Sequence, residues 1–174
     1  MQEANAAGAA ADEQRPVRPN IKPNFISHGT LASRDLDRTR RFYEDILNLD
    51  VIRTSPNSLM VRLGGDHVYA VVKSRGEESE MPRLNHNGLD VTADEDVDEA
   101  YRTIVALKDE WDLGRITRPV PQHGTYSFMF WDFDCNCWEI LSNPKGGYRW
   151  IFEKGEQDGK GHRDRGFRQD RPED

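Results

Sequence analysis

The chain is expected to adopt an α+β fold in which two βαβββ repeats build a curved mixed-sheet cup with helices outside. Three observations predict it. The order of apolar periodicities, one strand, one helix and three strands, occurs twice between residues 24 and 144. The two copies keep the same spacing: His28 to Tyr43 and His86 to Tyr101 are each 15 positions, and Leu31 and Leu89 each stand three residues beyond their histidine. A sheet of four short strands cannot bury its own face, so two such units would pair their sheets around a concave interior, where a ligand belongs.

Each element has a local reason. Phe25 to Ala32 reads as a strand, and Asp35 to Leu47 carries helix-spaced Leu36, Phe42, Tyr43, Ile46 and Leu47. Strands follow at Val51 to Thr54, Ser58 to Leu63 and Val68 to Lys73, divided by the turn formers Ser55-Pro56-Asn57 and Gly64-Gly65-Asp66. After a polar linker, Arg75 to Arg83, the pattern restarts with a strand at His86 to Val91. A helix spans Glu95 to Trp111, opened by a Thr92-x-x-Glu95 capping box and striped by Val97, Ala100, Tyr101, Ile104, Val105 and Trp111. Strands at Ile116 to Val120, Ser127 to Trp131 and Cys137 to Ser142 complete the second copy. The folded unit is then 22–152, with repeats at about 24–74 and 84–144.

Composition sets the ends apart. Residues 1–21 are rich in Ala, Gln, Asn and acids without an apolar period, and 13 of the 22 residues in 153–174 are charged, so both are expected to be solvated tails. With 24 basic and 31 acidic residues the chain carries a net charge of −7, and its Lys and Arg form no stripe, which argues against nucleic acid. No apolar run approaches the roughly 20 residues of a membrane span, and no basic-then-apolar leader opens the chain, so a cytoplasmic protein is expected. Only two cysteines occur, Cys135 and Cys137, too close together for an ordinary disulfide and too few for a structural zinc site.

The chemistry-bearing residues follow from strand alternation. Ile26, His28 and Thr30 share one face of the first strand, and Cys137, Glu139 and Leu141 share one face of the last. A carboxylate between Trp138 and Ile140 is costly to bury unless a cation binds it. His28 and His86 occupy equivalent places in the repeats, so pseudo-twofold pairing would bring them together. The counterpart of Glu139 in the first repeat falls at Val71 to Lys73, where no carboxylate stands. Two histidines and one carboxylate with open positions suit non-haem Fe(II), and Mn(II) or Zn(II) as alternatives. His67 reads as a solvated turn residue, His162 as part of the charged tail, Cys137 as a small buried hydrophobe and Cys135 as a turn residue.

These residues carry a resemblance. Ile26-Ser-His-Gly-Thr-Leu31, Thr39-Arg-Arg-Phe-Tyr-Glu-Asp-Ile-Leu-Asn-Leu-Asp50, Leu84-Asn-His-Asn-Gly-Leu-Asp-Val91 and Phe130-Trp-Asp-Phe-Asp-Cys-Asn-Cys-Trp-Glu-Ile140 are similar to the vicinal oxygen chelate superfamily of glyoxalases, fosfomycin-resistance enzymes and extradiol dioxygenases. The resemblance implies that His28, His86 and Glu139 hold a divalent metal that chelates adjacent oxygens of a substrate. Glyoxalases usually add a fourth ligand on the fourth strand, and Ala70-Val-Val-Lys73 offers none. The Pro-Asp-Gly turn of the family is Phe133-Asp-Cys here. His123, in Pro121-Gln-His-Gly-Thr125, resembles the acid-base histidine of extradiol enzymes, while their substrate-binding tyrosine falls on Met129, with Tyr126 three positions away. The resemblance thus implies an Fe(II) extradiol-type dioxygenase acting on a catecholic aromatic with oxygen, as a homodimer or higher homo-oligomer. The alternatives are a non-oxidative isomerase, lyase or thiol transferase of the same superfamily, and a ligand-sequestering resistance protein.

Overall fold

A computed structural model describes residues 23–76, 79–122 and 124–156. Both expected tails thus lie almost wholly outside the described residues, as does His123. In the first repeat β1 (His28–Ser33) leads into α1 (Leu36–Asp45), followed by β2 (Asp50–Ser55), β3 (Ser58–Arg62) and β4 (Val68–Lys73). The second repeat runs β5 (Asn87–Val91), α2 (Asp94–Ala106), a short α3 (Lys108–Trp111), β6 (Val120–Gln122), β7 (Thr125–Trp131) and β8 (Cys137–Ser142), and α4 (Arg149–Lys154) ends the described chain. The sheets have orders β1-β4-β3-β2 and β5-β8-β7-β6, each with its first two strands parallel and the rest antiparallel. One topology is therefore used twice. Among the described residues no helix is long and apolar enough to cross a membrane.

Local chemistry sets the element ends. Asp35 caps α1 by accepting the N–H groups of Asp37 and Arg38, both at 3.1 Å. That helix ends before Asn48, which takes the left-handed conformation at φ 53°. The expected second helix is broken at Leu107 into α2 and α3. It starts one residue earlier than the capping-box reading placed it, and the Asp96 carboxylate takes the Ala93 N–H at 3.0 Å. Ile116 makes only an isolated bridge to Phe130, so β6 forms later, at Val120–Gln122. Pro119 and Pro121 flank that shift and deprive the segment of two ladder donors.

The core lies between the repeats, on their helix-bearing sides. Phe42 and Tyr43 of α1, both wholly buried, meet Phe130, Phe133 and Trp138 of the second repeat at ring separations of 5.3–6.4 Å. Beside this apolar seam runs a polar one, built on the turn Asp132–Asn136. The Tyr43 hydroxyl donates to Asp132 (3.0 Å), Thr39 donates to Asp134 (2.6 Å), the Arg34 N–H donates to Asp134 (2.8 Å), and the Asn136 amide donates to the Ala32 carbonyl (3.0 Å). Asp132 also takes the Trp138 indole N–H at 3.0 Å. Cys135 sits in this turn with φ 67°, a conformation that favours glycine. Burial pushes the Asp132 carboxyl up to about 6, the Asp134 charge adds to it, and the Trp138 and Asn136 donors pull it back.

The faces turned away from this seam are unequal. On the first sheet, rows Thr30, Ala70, Met60, Ile52 and His28, Val68, Arg62, Asp50 run across the strands, with Ile52 62% and Val72 44% exposed. A groove of about 660 Å³ lies along Ile52, Met60, Arg62 and Val68. On the second sheet the matching face carries Ser127, Met129, Trp131, Cys137, Glu139 and Leu141, all buried, with Met81 of the linker packed on it. The two sheets share no hydrogen-bonded strands.

Candidate metal centre

His86 stands immediately before β5, where a one-turn 3₁₀ helix, Arg83–Asn85, reverses the linker into the sheet. Its Nδ1 lies 2.6 Å from the Arg83 carbonyl oxygen. A carbonyl only accepts, so this nitrogen carries the hydrogen and Nε2 is turned toward Glu139. Nε2 and the Glu139 Oε2 are 3.0 Å apart. Glu139, at the middle of β8 with 6% of its surface exposed, has its other oxygen held by the Ser127 hydroxyl (2.7 Å) and the Gln122 amide (3.1 Å). No Lys or Arg among the described residues pairs with it.

This donor set fits a divalent cation. A metal-binding imidazole characteristically gives its second N–H to a carbonyl, and a ligating carboxylate is itself hydrogen-bonded, as both are here. Without a cation the 3.0 Å contact needs a proton between nitrogen and oxygen; a divalent ion would take that proton's place and balance the carboxylate's charge.

His28 is the third expected ligand, and one chain does not bring it to the other two. It is exposed on the open face of β1, with Nδ1 2.8 Å from the Ser27 hydroxyl. Among the described residues no group of three His, Cys, Asp or Glu side chains is placed to hold a metal ion. His67 is exposed at its turn, bonded to the Ile26 carbonyl at 3.0 Å and edge-on to Tyr69. Cys137 shares the face of Glu139 but is wholly buried, and burial pushes its thiol up to about 12, which leaves it inert.

Three neighbours of the pair, Ser127, Gln122 and Arg83, were not singled out from the sequence. Ser127 and Gln122 orient Glu139; strand alternation from Met129 places Ser127 on this face, and Gln122 adjoins His123. Met129, paired with Glu139 in the ladder, takes the Arg83 Nε–H on its sulfur at 3.3 Å. Tyr148, among the aromatics before α4, has its hydroxyl pushed up by burial first and then by the charges of Glu139 and Asp90, against a hydrogen bond from Asn143. No alternation or period in the linker or the Gly146-Gly147 turn marks Arg83 or Tyr148.

Residues 25–152 match the family model described as Glyoxalase/Bleomycin resistance protein/Dioxygenase superfamily. No curated protein matches the chain. Among solved structures, the fosfomycin resistance protein FosX of Listeria monocytogenes in its tetragonal form is 26% identical, with a TM-score of 0.55 over 71% of this chain and 94% of that one. The same protein complexed with Mn(II) and sulfate gives 22% identity and a TM-score of 0.58 over 75% and 99%. Lactoylglutathione lyase of Agrobacterium tumefaciens gives 17% and 0.52 over 69% and 94%. None of these three is described as a dioxygenase or an iron protein. The repeated βαβββ topology, the histidine-glutamate pair on its second sheet and a family match over most of the chain lead to one conclusion: the chain belongs to the glyoxalase/bleomycin resistance/dioxygenase superfamily.

Proposed function

We propose that the protein is a non-oxidative, divalent-metal enzyme, an isomerase, lyase or group transferase for a small oxygen-bearing molecule, with Mn(II) as the preferred ion. His86 and Glu139 of one copy and His28 of a second copy would hold the ion. The observation that carries the reading is the His86–Glu139 pair at 3.0 Å, with every other polar atom of both side chains already engaged. The second copy enters because His28 sits on an open sheet face with exposed Ile52 and Val72, beside a groove of about 660 Å³. A face of this kind is an association surface. When bound, the metal supplies Lewis-acid polarisation of a chelated oxygen.

The chain's own residues do the rest. The Arg83 carbonyl fixes the His86 tautomer, and Ser127 and Gln122 hold one Glu139 oxygen so that the other points at the ion. Tyr148, its proton retained by burial and by the Glu139 charge, keeps its hydroxyl as a hydrogen-bond donor. A ring-cleaving, Fe(II)-type reading is disfavoured because Met129 stands where the resemblance puts a phenol in that chemistry, and its thioether offers packing and a weak acceptor only.

Metal binding by calorimetry and by elemental analysis tests this. His28→Ala and Glu139→Gln should each lose most bound Mn(II) while staying folded. Mixing the two variants in equal amounts should restore one site per mixed dimer, about half of all the dimers, because one of its two shared sites is then intact. Stoichiometric metal in either variant alone, or no recovery on mixing, refutes the shared triad. Oxygen uptake with Fe(II) and a catechol would replace the non-oxidative reading with the dioxygenase one.

A further inference from the structure

We propose that Arg83 determines specificity at this site, receiving an anionic group that the substrate carries a few bonds from its chelating oxygens. This rests on the metal reading above and adds to it a substrate class, small oxyanions with neighbouring hydroxyl or carbonyl oxygens.

Arg83 is exposed, yet it is fixed relative to the candidate ligands at both ends. Its carbonyl holds the His86 ring at 2.6 Å. Its guanidinium reaches over the sheet face, with Nε 3.3 Å from the Met129 sulfur and a terminal nitrogen 3.4 Å from the Gln122 Oε1. The Gln122 amide nitrogen in turn donates to Glu139 at 3.1 Å. One amide therefore separates the guanidinium from the carboxylate that would bind the metal, an interval on the order of 9 Å at most, given the bond lengths across an amide.

The partners of the guanidinium are weak. A thioether and an amide oxygen leave a permanently charged, five-donor fork without a carboxylate, and among the described residues none forms an ion pair with it. Arg34, Arg40, Arg53, Arg62 and Arg115 each have a carboxylate partner; what sets Arg83 apart from the arginines without one is that its guanidinium bonds to Met129 and Gln122, the residues flanking Glu139. A fork left open beside two metal-ligand side chains matches the planar oxygens of a carboxylate or the oxygens of a phosphoryl group.

The probes are glycerate and glycerol phosphate, with glycerol as the neutral molecule bearing the same adjacent oxygens, titrated into the full chain by calorimetry with and without Mn(II). The wild-type protein should prefer both anions to glycerol. Arg83→Ala and Arg83→Gln should weaken anion binding by about 10-fold or more, leaving Mn(II) affinity and glycerol binding unchanged, and Arg83→Lys should keep part of the preference. If Mn(II) binds normally but the anions bind no better than glycerol, or the variants bind them unchanged, the assignment to Arg83 is wrong. If the variants lose Mn(II) as well, Arg83 acts only by positioning Gln122 and Glu139, and the specificity role is overturned. Arg83-dependent anion binding in a wild-type protein that takes no Mn(II) would instead uphold Arg83 and refute the metal reading.

Discussion

Replacing Tyr43 with phenylalanine tests the polar seam, because it removes one hydroxyl and little else. That hydroxyl is wholly buried and donates at 3.0 Å to Asp132, whose side chain is also taken by Trp138, Asn136 and two backbone N–H groups of its own turn. With Asp132 ionised, a hydrogen bond to a charged acceptor is lost, worth about 1.5–3 kcal/mol; with it neutral, the bond is an ordinary one of about 1 kcal/mol. The folded carboxyl titrates at about 6 against an ordinary 3.8, burial being the main cause. The folded state therefore binds the proton more tightly than the unfolded one. Wild-type stability from this group falls as pH rises from about 4 to about 6, by about 3 kcal/mol, and is level above. Tyr43→Phe should then cost about 2–3 kcal/mol at pH 7.5 and about 1 kcal/mol at pH 4.5, read from urea unfolding at one protein concentration with unchanged slope. Equal losses at the two pH values, or a larger one in acid, would show that Asp132 is not the buried anion the seam requires.

Two further substitutions probe backbone positions. Cys135→Gly should raise stability by about 0.5–1 kcal/mol, since φ 67° strains a residue with a Cβ and the gain exceeds the added freedom of the unfolded chain; an unchanged or lower thermal midpoint would contradict this. Gly29→Ala, next to His28, should cost about 1–3 kcal/mol, because the new Cβ would stand 2.6 Å from a Tyr69 ring carbon and that ring is wedged against His67 and Trp138; a midpoint within a degree of wild type would mean that the ring moves freely.

The sequence was most readable where one period dominates. β4 and β8 fall where alternation and turn residues put them, and α1 differs by only one or two residues at each end. Legibility failed where tertiary contacts or missing donors decide. Prolines shift β6 beyond Ile116, and the helix after β5 breaks at Leu107, inside a stripe that looked continuous. At the site, alternation and the repeat register put Glu139 and His86 on one face, where they lie 3.0 Å apart. Pseudo-symmetry also put His28 on an equivalent face, but it carries no information on which copy that face meets. Arg83 reaches the pair from a linker, and the Glu139 charge acts on Tyr148 in the turn before α4; no periodicity exists to read in either segment. Asp132 and Asp134 looked like an ordinary turn, and only the fold shows them as the acceptors that tie α1 to the second repeat.

The seam also has a consequence in time. Its bonds join residues 89 to 104 positions apart, from Tyr43 to Asp132 and from Ala32 to Asn136. Synthesis at about 5–20 residues per second leaves the first repeat exposed for roughly 5–20 s before the turn that receives it has been made. During that interval Phe42 and Tyr43 have no partner from the second half, and loop closure over such a span is slow compared with forming either helix. The growing chain is therefore most open to misassociation between completion of the first repeat and synthesis of residues 132–136, and a nascent first repeat is the species that a chaperone would find.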